Sequence, residues 1–121
     1  MSDMTTIRED DLIDSVADAL QFISYYHPMD YIRALGDAYD AEQGPAAKDA
    51  IAQILTNSRM CAEGHRPICQ DTGIVNVMIE WGQNCRLESS KSLQDVVDEG
   101  VRRGYLNPEN KLRASVLADP A

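Results

Sequence analysis

The sequence predicts an α+β fold, helices first and a helix-flanked sheet portion later, and three observations carry that prediction. Apolar residues recur at helical spacing through the first 62 positions. A β-branched, apolar run then occupies residues 74–81. A serine followed by a fourth amphipathic stretch marks one more helix beyond it.

Thr6-Ile7-Arg8-Glu9 has the form of a capping box, with Glu9 three residues after Thr6. Leu12, Ile13, Val16, Ala19, Leu20 and Ile23 follow at helical spacing, which predicts a first helix over residues 7–26. Pro28 opens a second helix, with Tyr31, Ile32, Leu35 and Tyr39 on one side. Gly44-Pro45 punctuates the chain. Residues 46–62 read as a third helix with Ala47, Ile51, Ile54, Leu55 and Ser58 inward, and Gly64 suits the position after its end.

The pattern changes at Cys69. Residues 74–81 are apolar on nearly every position, as a strand covered on both faces would be. Gly82-Gln83-Asn84 is turn material, and residues 85–87 suit a short return strand. Ser92 caps a fourth helix running to about Gly104, with Leu93, Val96, Val97 and Val101 inward. Residues 112–117 suit one more strand. A strand of this kind wants neighbours on both edges, and only fragments of others are visible, so the sheet reads as incomplete without more chain.

Composition narrows the function. Twenty acidic against eleven basic residues give a formal charge of −9, with no basic block, which disfavours nucleic acid and anionic membrane as partners. No apolar run reaches the roughly 18 residues of a membrane helix, and no secretion signal opens the chain, so a cytoplasmic location is expected. Three cysteines (Cys61, Cys69 and Cys85) without a CxxC spacing predict reduced thiols, and neither a disulfide framework nor a self-contained zinc site.

The loop "HRPICQDTGIV" admits three readings on its residues alone. Asp71-Thr72-Gly73 matches the triplet of aspartic proteases, but those enzymes are almost all β and the match is three residues long. Cys69 could be a metal ligand. The whole stretch could equally be a helix-to-strand connection, since Asp, Thr and Gly favour turns and cysteine is often a small buried hydrophobe. Cys61, Cys85, His27 and His65 are read as structural residues.

Arg66-Pro67-Ile68-Cys69-Gln70-Asp71-Thr72-Gly73 resembles the signature near the front of class I fumarate hydratases, the iron–sulfur fumarases. It also resembles that of the related L(+)-tartrate dehydratase α subunit. The flanks "ILTNSRMCAEGHRPICQDTGIV" and "EGVRRGYLNPENKLRASVLADP" and the opening "TIREDDLIDSVADALQFISYYHP" are similar to that family as well. The resemblance covers the whole chain and implies that residues 1–121 are the N-terminal part of a cluster-binding catalytic domain.

The resemblance further implies a [4Fe–4S] cluster held by three cysteine thiolates, with one iron open to substrate. Cys69 would be one ligand, and the other two would lie beyond Ala121. The implied reaction is reversible hydration of fumarate to L-malate without net redox, in a homodimer when full-length. Gln70 and Asp71 would belong to the active site, Asp71 exchanging a proton with the departing hydroxyl and Gln70 orienting it by hydrogen bonding. Arg113, in "KLRAS", would contact a substrate carboxylate. Such an arginine is needed. Net acidity opposes a dicarboxylate, yet charges beyond a Debye length of about 8 Å are largely screened. One arginine at about 4 Å supplies on the order of 4 kcal/mol of raw attraction at an effective dielectric near 20. The alternatives are the tartrate enzyme's α subunit, and a non-catalytic helical module whose Cys69 loop is structural.

Overall fold

Thr5, Thr6 and Ile7 are β-branched in succession, and in the computed structural model, which describes residues 3–68, 72–110 and 112–114, they form a strand. This strand, β1 (Thr5–Arg8), pairs in parallel with a strand at Cys85–Glu88, in the register Thr5↔Cys85 to Arg8↔Glu88. The capping box expected at Thr6 therefore does not form. Thr6 is committed to the ladder, and Glu9 instead accepts a hydrogen bond from the Ser89 hydroxyl. The first helix, α1 (Glu9–Tyr25), starts two residues later than expected, on three consecutive acidic residues that suit its positive N-terminal end.

Two more helices follow. Pro28 sits at the N-cap of α2 (Met29–Ala41), and α3 (Pro45–Gly64) carries its proline at the first helical position. Lys48 of α3 donates to the Tyr39 carbonyl (2.8 Å) with its ammonium 4.1 Å from the Tyr39 ring centre. Ala47 and Ile54, expected inward, are exposed, as are Ala19 and Ile23 of α1; periodicity marks a stripe wider than the one that is covered.

The rest of the chain holds β2 (Thr72–Gly73), β3 (Cys85–Glu88), α4 (Leu93–Tyr105) and β4 (Arg113–Ala114). Ser92 caps α4 as expected, its hydroxyl accepting from the Asp95 amide at 3.1 Å. β2 and β4 form a second parallel pair, Thr72↔Arg113 and Gly73↔Ala114. The strand expected at residues 85–87 exists, but it runs parallel to β1 and is no return strand beside residues 74–81. The strand expected over 74–81 is absent: these residues lie outside regular secondary structure, with Ile74 and Met78 exposed. A continuous apolar run becomes a strand only where neighbours take its amides and layers cover both faces. Of the strand expected at 112–117, Arg113 and Ala114 are β4 and residues 115–117 lie outside the described residues.

The chain divides into two compact units, one built on residues up to Gln21 and from Thr72 onward, the other on the stretch between. The core of the first is Ile13 and Leu20 of α1 with Val96 and Val97 of α4. α1 and α4 touch backbone to backbone, because a Cβ on Gly100 would come within 2.7 Å of the Val16 Cβ. Gln21 ties the same helices, donating to the carbonyls of Gly104 (2.7 Å) and Asn110 (2.9 Å) and accepting from the Asn110 amide group (2.8 Å). In the second unit α2 packs on α3, and Ser58 and Cys61 are buried on α3. The class is α+β, as the sequence predicts.

Candidate active site

The end of α3 leaves carbonyls without intrahelical donors, and the chain resolves this by folding back over the helix end. His65 takes the left-handed conformation (φ 50°, ψ 55°), and its amide donates to the Cys61 carbonyl. The Arg66 amide donates to the same carbonyl at 3.1 Å. Gly64, expected just past the helix, is its last residue; the position needing positive φ is filled by histidine. A side chain there costs about 1–2 kcal/mol, and the His65 ring is stacked on Tyr25 with centroids 4.5 Å apart and an angle of 11°.

The next two residues are held as firmly. The Cys61 thiol donates to the Pro67 carbonyl at 3.4 Å. The Ile68 amide donates to the Ser24 carbonyl at 2.8 Å, satisfying one of the orphan acceptors at the end of α1. Ser24 is itself buried. The residues leading to Cys69 are thus fixed by helix-end chemistry.

Cys69, Gln70 and Asp71 lie outside the described residues. The chain is described again at Thr72, where β2 begins, and Thr72 stands in register with Arg113. That pairing brings the backbone of the fourth expected site residue opposite the residue that follows Asp71. Nothing in the sequence spacing indicated it, since parallel pairing joins residues far apart in the chain.

The other residues weighed for function serve as structure. His27 shares a 2.9 Å hydrogen bond between its Nδ1 and the Ser58 hydroxyl and is stacked on Tyr31. Cys61 is buried and bonded as described, and Cys85 is half-buried in β3, where its carbonyl accepts from the Trp81 indole at 2.9 Å. Among the described residues one carboxyl has a displaced pKa: Glu99 on α4 falls from 4.5 to about 2 because it accepts hydrogen bonds from Arg102 first, and from Arg103. Both guanidinium groups stand on α4 itself, so this is a surface ion cluster of the helix.

A metal centre can be tested on the donor set. Among the described residues no group of three His, Cys, Asp or Glu side chains could hold a metal ion. The Cys61 thiol already has its partner, and Cys85 stands in a strand. Neither described thiol therefore belongs to a ready ligand set, and Cys69, the candidate ligand, lies outside the described residues. Sequence reasoning missed the roles of Cys61 and Ser24. Cys61 carried no motif, and Ser24 acts through its carbonyl, which every residue has.

Residues 13–121 match the family described as fumarate hydratase (Fumerase). The chain is 29% identical over 104 residues to a Methanocaldococcus jannaschii protein provisionally named L(+)-tartrate dehydratase subunit alpha. That alignment covers 86% of this chain and 36% of the relative, so the chain spans little more than a third of the length of the curated protein it matches. No solved structure matches. No helix among the described residues is long and apolar enough to cross a membrane. With the family match taking in the complete signature from Arg66 to Gly73, the chain belongs to the fumarate hydratase (Fumerase) family.

Proposed function

We propose that these residues form the N-terminal part of the catalytic domain of a cytoplasmic hydro-lyase that interconverts fumarate and L-malate, with Cys69 as one ligand of a [4Fe–4S] cluster. The observation that carries the reading is the family match over residues 13–121, which includes the whole signature. When bound, such a cluster with one open iron supplies a Lewis acid at the substrate hydroxyl. The chain's own residues do the rest. In dehydration Asp71 gives a proton to the hydroxyl that leaves as water and in hydration it takes that proton back, while Gln70 holds the hydroxyl by hydrogen bonding. Arg113 pairs with a carboxylate of the dicarboxylate substrate; the register of its backbone with Thr72 supports the assignment. The second acid/base group, acting at carbon, comes from outside these residues.

The relative's name favours a second substrate, L(+)-tartrate, whose dehydration gives oxaloacetate and water. Its designation as a subunit sets a two-chain assembly against the homodimer proposed here, and sedimentation of the purified enzyme separates the two.

The test uses the complete polypeptide that carries these residues, reconstituted anaerobically with iron and sulfide and assayed on L-malate and L(+)-tartrate. Cys69→Ser is expected to lose iron and activity together, because serine is a poor ligand for soft cluster chemistry. Asp71→Asn is expected to keep the iron and lose on the order of 100-fold in kcat, the scale of one acid/base group. Full iron and activity in Cys69→Ser would falsify the assignment. Turnover of tartrate alone would move the substrate to the second reading.

A further inference from the structure

We propose that Cys61 is a positioning residue for the Cys69 loop, acting through its thiol hydrogen bond to Pro67; this rests on Cys69 being the cluster ligand. Pro67 has no amide hydrogen, so its carbonyl is the one backbone group through which it can be tied down. The shorter of the two acceptors of the Cys61 thiol is that carbonyl, at 3.4 Å, against 3.7 Å to Asn57 Oδ1. The Cys61 carbonyl meanwhile accepts from the amides of His65 and Arg66. One residue therefore holds three consecutive loop residues, His65 and Arg66 by its main chain and Pro67 by its side chain. The Ile68 amide, bonded to Ser24, extends the clamp by one more residue. Pro67 is two residues from Cys69, so release of its carbonyl frees the approach to the ligand.

A packing role and a positioning role make opposite forecasts for two substitutions. Cys61 is 5% exposed. If it only fills space, Cys61→Val is silent, and Cys61→Ser destabilises by burying a hydroxyl in its place. If its hydrogen bond holds the loop, Cys61→Ser keeps a donor and Cys61→Val removes it.

The readout is the rate at which Cys69 is alkylated by iodoacetamide in the complete, cluster-free polypeptide that carries these residues, resolved from the other cysteines by peptide mass spectrometry. A neutral hydrogen bond shifts such an equilibrium by a factor of roughly 2–10, and a thiol donor belongs at the lower end. Cys61→Val is expected to raise the Cys69 rate by about 2–5-fold with the thermal midpoint held near that of the parent. Cys61→Ser is expected to leave the rate unchanged. The amide exchange of Ile68 provides a second measurement in Cys61→Ala, where it should quicken by a similar factor while Val96 does not change.

A parental Cys69 rate in Cys61→Val, or a release by Cys61→Ser as large as that by Cys61→Val, overturns the proposal. So does an unchanged Ile68 amide in Cys61→Ala. The iron content of Cys69→Ser in the complete enzyme reports separately on Cys69 as a ligand. Failure there sinks the cluster assignment and leaves the thiol clamp to be judged on its own rates.

Discussion

The contact between α1 and α4 and the apolar segment at residues 74–81 belong to the same unit and differ in one respect: at the first, the apolar side chains at the centre of the contact are covered. Val96 is fully buried and Ile13 is 1% exposed. Gly100 and Gly104 let the helix backbones meet, where a Cβ would lie 2.7 Å from Val16 and 3.2 Å from Leu20. The segment is richer in apolar residues, yet Met78 is 93% exposed and Trp81 37%. A groove of about 550 Å³ lined by Val75, Val77 and Ile79, and by Leu93, Val97 and Val101 of α4, lies open beside it. Apolar content alone did not make structure here. Complementary shape did, because dispersion and burial act only on surfaces that meet.

The strongest test of this contrast is Gly100→Ala. The added methyl has no room against Val16 or the Ile13 carbonyl, so the helices must separate. A loss of about 1–3 kcal/mol is expected, the usual cost of overpacking, read from denaturant unfolding followed by circular dichroism. Gly104→Ala meets looser contacts and should cost less. If both were silent, the close approach of α1 and α4 would not be what stabilises this unit.

A second variant asks whether charge, instead of burial, holds α4. Glu99 has its pKa lowered to about 2 by Arg102 and Arg103, so the stability it contributes is present above its ordinary 4.5 and is lost as pH falls through about 2. Glu99→Gln should lower Tm slightly at neutral pH, and the gap to the parent should close as pH approaches 2 and as salt is raised. Both behaviours follow from an exposed ion cluster. A loss as large as that of Gly100→Ala would reverse the ranking of burial over charge.

The smallest effect on stability is expected where nothing is packed. Met78→Glu should change unfolding by no more than about 0.5 kcal/mol. It should also reduce binding of an apolar dye, because Met78 adds to the exposed apolar surface. A substantial loss of stability would show that the segment already has a partner.

Much of the second unit was legible in the sequence because its signals are local. Pro28 and Pro45 announce helix starts, and both helices lie within a few residues of where periodicity puts them. Ser92 likewise caps α4 as its position implies. The signature of the candidate site was legible for a different reason: eight consecutive residues carry it, and the family match includes them. The end of α3 was less so. The rule that glycine ends a helix pointed to Gly64, but stacking on Tyr25 and two amides on Cys61 put the left-handed turn at His65.

By itself the sequence determined the helices, the family and the identity of the candidate ligand, since each rests on neighbouring residues or a contiguous motif. Tertiary structure alone decided that the β-branched opening at Thr5 is a strand beside Cys85 and that Arg113 stands opposite Thr72. It alone decided that Cys61 ties down Pro67 and that the apolar run after Gly73 is left open. These outcomes depend on which distant segment supplies a donor, an acceptor or a face. Helical bonds close within four residues and can be read from local pattern, whereas parallel pairing and side-chain clamps close over any length of chain.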